Sequence, residues 1–256
     1  MAPPATLTLN APDFPHLVRP GDDLAALIAG SLAASGLIPR DDDILVLAQK
    51  IVSKAEGRLV RLCDVTPSPR AVELAEMTGK DARLVELVLS ESQSVVRARR
   101  GVIIVRHRLG MVLANAGIDQ SNVTQEDGGT ALLLPADPDA SCAAIRDRLA
   151  TLTGAAPAVM IVDSLGRAWR NGTIGTAIGI AGAPGLADLR GRPDLFQRPL
   201  QTTEVGFADE VAAAASLLMG QAAEGRPVVL VRGVRLERRD GNAGELIRPL
   251  QLDMFQ

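Results

Sequence analysis

Aromatic side chains are nearly absent from this 256-residue chain, which has four Phe, one Trp and no Tyr. Its core must therefore be aliphatic. Bases would find few platforms to stack on, which argues against single-stranded nucleic acid as a ligand. Histidine is equally scarce, with only His16 and His107, and the two cysteines, Cys63 and Cys142, stand far apart. These counts exclude a multi-histidine or four-cysteine zinc site and favour a reduced, cytoplasmic chain over a disulfide scaffold. Any metal would be held mainly by oxygen, as Mg²⁺, Mn²⁺ and Ca²⁺ are. Long basic runs are missing too, and Lys+Arg 27 against Asp+Glu 30 leave a net charge of −3, so no nucleic-acid partner is expected. No apolar run reaches the roughly 18 residues of a membrane span. The segment Met1 to Asn10 lacks the basic start and apolar core of a signal peptide. A Walker A loop, G-x-x-x-x-G-K-[ST], is absent as well.

What is present is an ordinary globular composition, 47% hydrophobic and 22% charged, in a chain long enough to bury a sizeable core. Gly21-Asp22-Asp23 ahead of spaced aliphatics predicts a capped helix near 22–35. Ser68-Pro69 opens a helix over roughly 70–78, Asp81 caps another through Ser90, Asp139 or Ser141 starts one to about Leu152, and Ala208 to Met219 forms the last. Short apolar runs at 44–48, 159–162 and 227–232 read as buried strands, and those at 102–105 and 111–114 as a hairpin around His107. Thr124 to Thr130 reads as a loop. The stretch Gly166 to Gly206 reads as a soft segment with one strand-like piece near 174–180, and such length inside a domain points to function. The expected class is α+β, mixed sheets with flanking helices, as one domain over 1–256 with a sub-domain at about 100–200.

Two strand ends carry carboxylates. Met111 to Ala114 releases into Asn115-Ala116-Gly117-Ile118-Asp119-Gln120-Ser121-Asn122, and Val159 to Val162 runs into Asp163-Ser164. Strand ends are where ligands commonly bind, and two such aspartates suit one divalent ion shared with substrate phosphates. Taken singly, each also reads as a turn or cap. Lys50 and Lys54 in Gln49-Lys50-Ile51-Val52-Ser53-Lys54 could meet phosphates as point charges, and Arg167 and Arg170 beside Asp163 suit bidentate anion contacts, although a solvated face explains either cluster. The loop Met219 to Gly225 reads as a phosphate-approaching loop or simply as a helix C-cap, the cap being the safer reading. His107 reads as a surface histidine without a role, and Cys63 and Cys142 as small buried residues.

Taken in series, these pieces resemble the coenzyme F420-0:L-glutamate ligase (γ-glutamyl ligase) family over roughly residues 8–235. The matching pieces are Ile51 to Arg58, Ala114 to Asp119 with Ser121-Asn122, Leu133-Leu134-Pro135-Ala136-Asp137-Pro138-Asp139, Val162-Asp163-Ser164-Leu165-Gly166-Arg167, Gly175 to Gly182, Asp188-Leu189-Arg190-Gly191 and Val231-Arg232-Gly233. The resemblance implies a GTP-dependent ligase that adds L-glutamate to coenzyme F420-0 through an acyl phosphate, forming amide bonds. It further implies an intertwined homodimer, a pair of Mg²⁺ or Mn²⁺ ions and stimulation by K⁺. Carried over residue by residue, Asp119 and Asp163 become metal ligands with Ser164 beside them, where the family often has Thr. Lys54 and Asn122 become GTP contacts. Pro12-Asp13-Phe14-Pro15 takes the place of an N-terminal GTP-binding loop, departing from the E-G-[IL]-P pattern. Gln49 replaces a small hydroxyl residue, and Gln221 falls where some members carry a metal or nucleotide contact. With these, Arg167 and Arg170 would neutralise the transferring phosphoryl. A divalent-metal phosphohydrolase using the same aspartates is the alternative reaction, and a non-catalytic nucleotide-binding protein is a third reading.

Overall fold

The computed structural model describes residues 5–15, 17–121, 129–235 and 239–253. In chain order the elements are β1 (Thr8–Asn10), α1 (Leu24–Ala34), β2 (Ile44–Ala48), α2 (Gln49–Ala55), β3 (Leu59–Arg61), α3 (Pro69–Thr78), α4 (Ala82–Ser90), β4 (Ser92–Arg99), β5 (Val102–His107), β6 (Val112–Ala114) and β7 (Thr130–Leu132). They continue with α5 (Pro138–Thr153), β8 (Ala158–Arg167), β9 (Arg170–Ala181), β10 (Ala187–Asp188), β11 (Glu204–Val205), α6 (Phe207–Met219) and β12 (Val228–Arg232). This is the α+β architecture with mixed sheets and flanking helices that the sequence predicts.

The main sheet has the order β1-β12-β2-β8-β9. Only β2 and β8 run parallel; the other pairs are antiparallel. Side chains alternate across it. Leu45, Leu47, Val159 and Ile161 pack on one face with Ile28 and Leu32 of α1 and Leu149 of α5. Ile44, Val46, Met160 and Val162 pack on the other with Val211, Ala212 and Ala215 of α6. Both faces are covered, so the central strands read as unbroken apolar runs rather than as alternation. A third cluster unites α3, α4 and β5 through Leu74, Val85, Val88, Ile103 and Val105.

Three helices begin where the sequence signals them. Asp23, Ser68 and Asp81 accept from the backbone N–H groups of Ala26, Ala71 and Arg83. Helix α5 starts at Pro138, just ahead of the expected Asp139, because Asp137 is its cap and accepts from Ala140 N. The loop expected over 124–130 lies largely outside the described residues, and its last residue, Thr130, begins β7.

Several expectations are corrected. The strand-like piece expected near 174–180 forms as part of β9, but residues 166–173 are not soft, because β8 runs through Asp163 to Arg167 and pairs with the twelve-residue β9. Asp163 is thus a mid-strand residue, and Trp169, in the left-handed region at φ 64, closes the hairpin. The β5–β6 hairpin forms as expected, but the polar β4 extends it to three strands. His107 is fully buried rather than superficial. Cys142 is buried, Cys63 is exposed and both are free thiols.

Close backbone packing explains why β9 is rich in glycine. A Cβ at Gly175 would stand 2.5 Å from the Ala212 carbonyl oxygen of α6, and one at Gly179 would stand 2.5 Å from Pro138 Cβ of α5. The outer edge of β9 is also capped by carboxylates. Asp209 accepts from Ala177 N at 2.9 Å and Asp139 from Ile180 N at 2.8 Å, which removes donors that another strand could use. No helix among the described residues is long and apolar enough to cross a membrane.

Candidate active site

A cavity of about 1020 Å³ opens where β2, β8, the turn after β6 and the loop after α6 converge. Its placement follows from connectivity. Strand β2 passes directly into α2, so Lys50 and Lys54, one helical turn apart, both line the cavity. The chain leaving β6 turns through Asn115, Ala116 and Gly117, all at positive φ (51°, 55° and 64°). Such backbone is costly for a non-glycine residue and persists only where its surroundings hold it. Here Asn115 Oδ1 accepts from Ile103 N, and Asp119 pairs with Leu132 through two backbone hydrogen bonds. The turn thereby brings Asp119 to the cavity wall beside Asp163 of β8.

Asp119 has both oxygens engaged. Its Oδ2 lies 2.6 Å from Lys50 Nζ, and its Oδ1 accepts from Ser121 N and Ser121 Oγ, each at 2.7 Å. Lys50 Nζ also donates to Ser121 Oγ at 2.9 Å. Burial alone would raise the Asp119 carboxyl, but the bonds from Lys50 and Ser121 outweigh it and hold it below the usual range. Asp163 behaves oppositely. Burial pushes its carboxyl up to about 6; a backbone bond from Ser164 opposes this, and the Asp119 charge adds to it. The Lys54 ammonium is lowered by burial first and by Lys50 second. Two carboxylates and two ammonium groups thus share one half-buried wall.

The predicted site residues fall into three groups. Phe14, Pro15, Gln49, Lys54, Asp119, Asp163, Ser164 and Gln221 all line the cavity, and Ser164 Oγ donates to Gln221 Oε1 at 2.6 Å. Pro12, Asp13, Arg167 and Arg170 are not among the lining residues; Pro12 is buried, Asp13 N donates to Ser35 Oγ, and the two arginines flank the exposed tip of the β8–β9 hairpin. Asn122 lies outside the described residues. Gln49 is only 1% exposed, and its Oε1 accepts from Ser53 Oγ at 2.9 Å. Arg226 also lines the cavity and was not anticipated; its position immediately before Pro227 and β12 was the available signal.

The donor set is hard oxygen: two carboxylates and the Ser164 hydroxyl. That chemistry fits Mg²⁺ or Mn²⁺, which need few protein ligands when substrate oxygens and water complete the shell. The raised Asp163 carboxyl, facing a second carboxylate, marks where a cation would be matched by charge. Among the described residues no cluster of three or more His, Cys, Asp or Glu could hold a metal unaided.

Comparison with known proteins agrees with the whole-chain resemblance. The family model for F420-0:Gamma-glutamyl ligase matches residues 15–233. The chain is 48% identical to the coenzyme F420:L-glutamate ligase of Methanothermobacter thermautotrophicus over 242 residues, covering 94% of this chain and 95% of the relative. It is 46% identical to that of Methanopyrus kandleri over 255 residues, 98% of each chain. With the Archaeoglobus fulgidus protein of the same name it shares 42% identity over 240 residues, 94% of this chain and 92% of the relative. The chain belongs to the F420-0:gamma-glutamyl ligase family.

Proposed function

We propose that this chain is a ligase of coenzyme F420 biosynthesis that joins L-glutamate to coenzyme F420-0 by amide bonds, with GTP as phosphoryl donor. The observation that carries the reading is the meeting of Asp119, Asp163, Lys50 and Lys54 in one cavity of a chain that belongs to this family. A carboxylate oxygen is a poor leaving group, so an amine cannot displace it directly. Transfer of the GTP γ-phosphoryl to the carboxylate of F420-0 gives an acyl phosphate and releases GDP. The glutamate amine then attacks the acyl carbon, loses a proton and expels phosphate.

Phosphoryl transfer requires in-line placement and charge neutralisation more than covalent help. Lys50 and Lys54 supply positive charge for the polyphosphate from the cavity wall, while Arg167 and Arg170 stand at the adjoining hairpin tip. Asp119 and Asp163, with Ser164, would hold Mg²⁺ or Mn²⁺, which when bound polarises the phosphoryl oxygens. Gln221, hydrogen-bonded to Ser164, orients that hydroxyl. Phe14, Pro15 and Gln49 line the nucleotide side, and the cavity is large enough for a nucleotide and part of a second substrate. A cytoplasmic homodimer and K⁺ stimulation complete the proposal.

The test is phosphate release from GTP with Mn²⁺, with and without F420-0 and L-glutamate, followed by mass spectrometry of the deazaflavin. Release that needs both substrates, with product heavier by whole glutamyl units, is the expected result. GTP turnover independent of glutamate would replace the reading with a phosphohydrolase.

A further inference from the structure

Lys50 is arranged so that it competes with the chemistry proposed for the cavity. Its ammonium sits 2.6 Å from Asp119 Oδ2 and donates to Ser121 Oγ, while Ser121 fills Oδ1 from both its N–H and its hydroxyl. A cation approaching Asp119 therefore meets a carboxylate already satisfied on both oxygens, and only the Lys50 contact can be released without undoing the local turn. Lys54 lies one helical turn along α2, on the same cavity wall, and the two ammonium groups repel each other. Lys50 is thus held between an aspartate that attracts it and a lysine that repels it. Its side chain is 28% exposed, so it can move without unpacking the core. A polyphosphate entering beside Lys54 offers Lys50 a more highly charged partner than Asp119.

We infer that Lys50 is an exchangeable counter-ion that neutralises Asp119 in the ligand-free site, competes with a divalent cation for Oδ2, and is drawn to the polyphosphate when nucleotide binds. Nucleotide and cation then bind cooperatively, because each removes the partner that held the other's site closed. The inference rests on the proposed role of Asp119 as a cation ligand and adds an ordering of events at that site.

The experiment measures Mn²⁺ affinity by titration calorimetry, alone and with a non-hydrolysable GTP analogue, in the wild type, Lys50→Met, Lys54→Met and Asp119→Asn. Lys50→Met should bind Mn²⁺ alone about two- to fivefold more tightly, the worth of a partly exposed ion pair. It should also lose most of the enhancement that the analogue gives the wild type. Lys54→Met removes a charge that Asp119 attracts but not the 2.6 Å ion pair to Oδ2 that Lys50 makes, and should have the smaller effect on Mn²⁺ alone. Equal effects of the two lysine variants, or unchanged Mn²⁺ affinity in Lys50→Met, would overturn the exchange while leaving the cation site intact, provided Asp119→Asn weakens Mn²⁺ binding. Unchanged affinity in Asp119→Asn would overturn the cation role of Asp119 and the exchange with it. Circular dichroism confirms that each variant is folded; Lys50→Gln, closer in polarity, replaces Lys50→Met if the latter is not.

Discussion

Asp119 and Glu91 are both carboxylates with basic neighbours, yet substitution should touch different properties. Asp119 faces the cavity, so Asp119→Asn should lower phosphate release by about a hundredfold or more, while the far-ultraviolet spectrum stays native. Near-normal turnover would rule out the cation role. Glu91 is a packing residue. Its Oε2 accepts from Arg58 Nη2 and Arg108 Nε, both at 2.9 Å, and His107 Nε2 lies 3.7 Å away. The arginines also donate to the carbonyls of Leu134, Pro135 and Ala136, stapling the chain between β7 and α5 to the β4–β5 region. Burial would raise the Glu91 carboxyl, but the basic groups, His107 foremost, bring it down to about 2. A folded value below the ordinary 4.5 means the carboxylate stabilises the fold above pH 4.5. That contribution, on the order of 3 kcal/mol, is lost as the pH falls from 4.5 towards 2. Denaturant melts across that range should show a steeper acid loss in the wild type than in Glu91→Gln; parallel curves would remove Glu91 from the account. Asp119 and Asp163 stood out in the sequence because each follows an apolar strand run, and the structure brings both to one cavity. The burial of His107 was not legible, because it lies beside Glu91, which no local pattern connects to it.

Elements were legible where hydrophobic period and capping agreed. Strands β2 and β12 declared themselves by unbroken aliphatic runs, and α1, α3 and α4 by their caps. Strand β9 did so only in part, near 174–180, since the glycines that let two helices approach it also dilute its β signal. Strand β4 was hidden by its polarity, reading SQSVVRAR with no residue fully buried. The glycine argument has a direct check. Gly179→Ala should destabilise the protein by about 1–3 kcal/mol through overpacking against Pro138, read as a lower urea midpoint at unchanged slope. Gly172, with nothing within 4 Å of its hypothetical Cβ but at φ +84, should cost only backbone strain, about 1–2 kcal/mol on replacement by Ala. A Gly179→Ala variant as stable as the wild type would mean that α5 can retreat from the sheet.

For the whole molecule, the near absence of aromatics has a use in spectroscopy. Trp169 is the sole indole and there is no tyrosine, and it sits 87% exposed at the tip of the β8–β9 hairpin. Excited at 295 nm, a wavelength roughly selective for indole, the native protein should emit like tryptophan in water, and urea should shift its maximum by only a few nanometres. Unfolding would be almost dark in this channel, so melts belong to circular dichroism. The same residue becomes a clean optical tag for its own hairpin: an emission maximum that moves to shorter wavelength, with weaker iodide quenching as protein concentration rises, would report another surface closing over that tip while the rest of the chain stays silent.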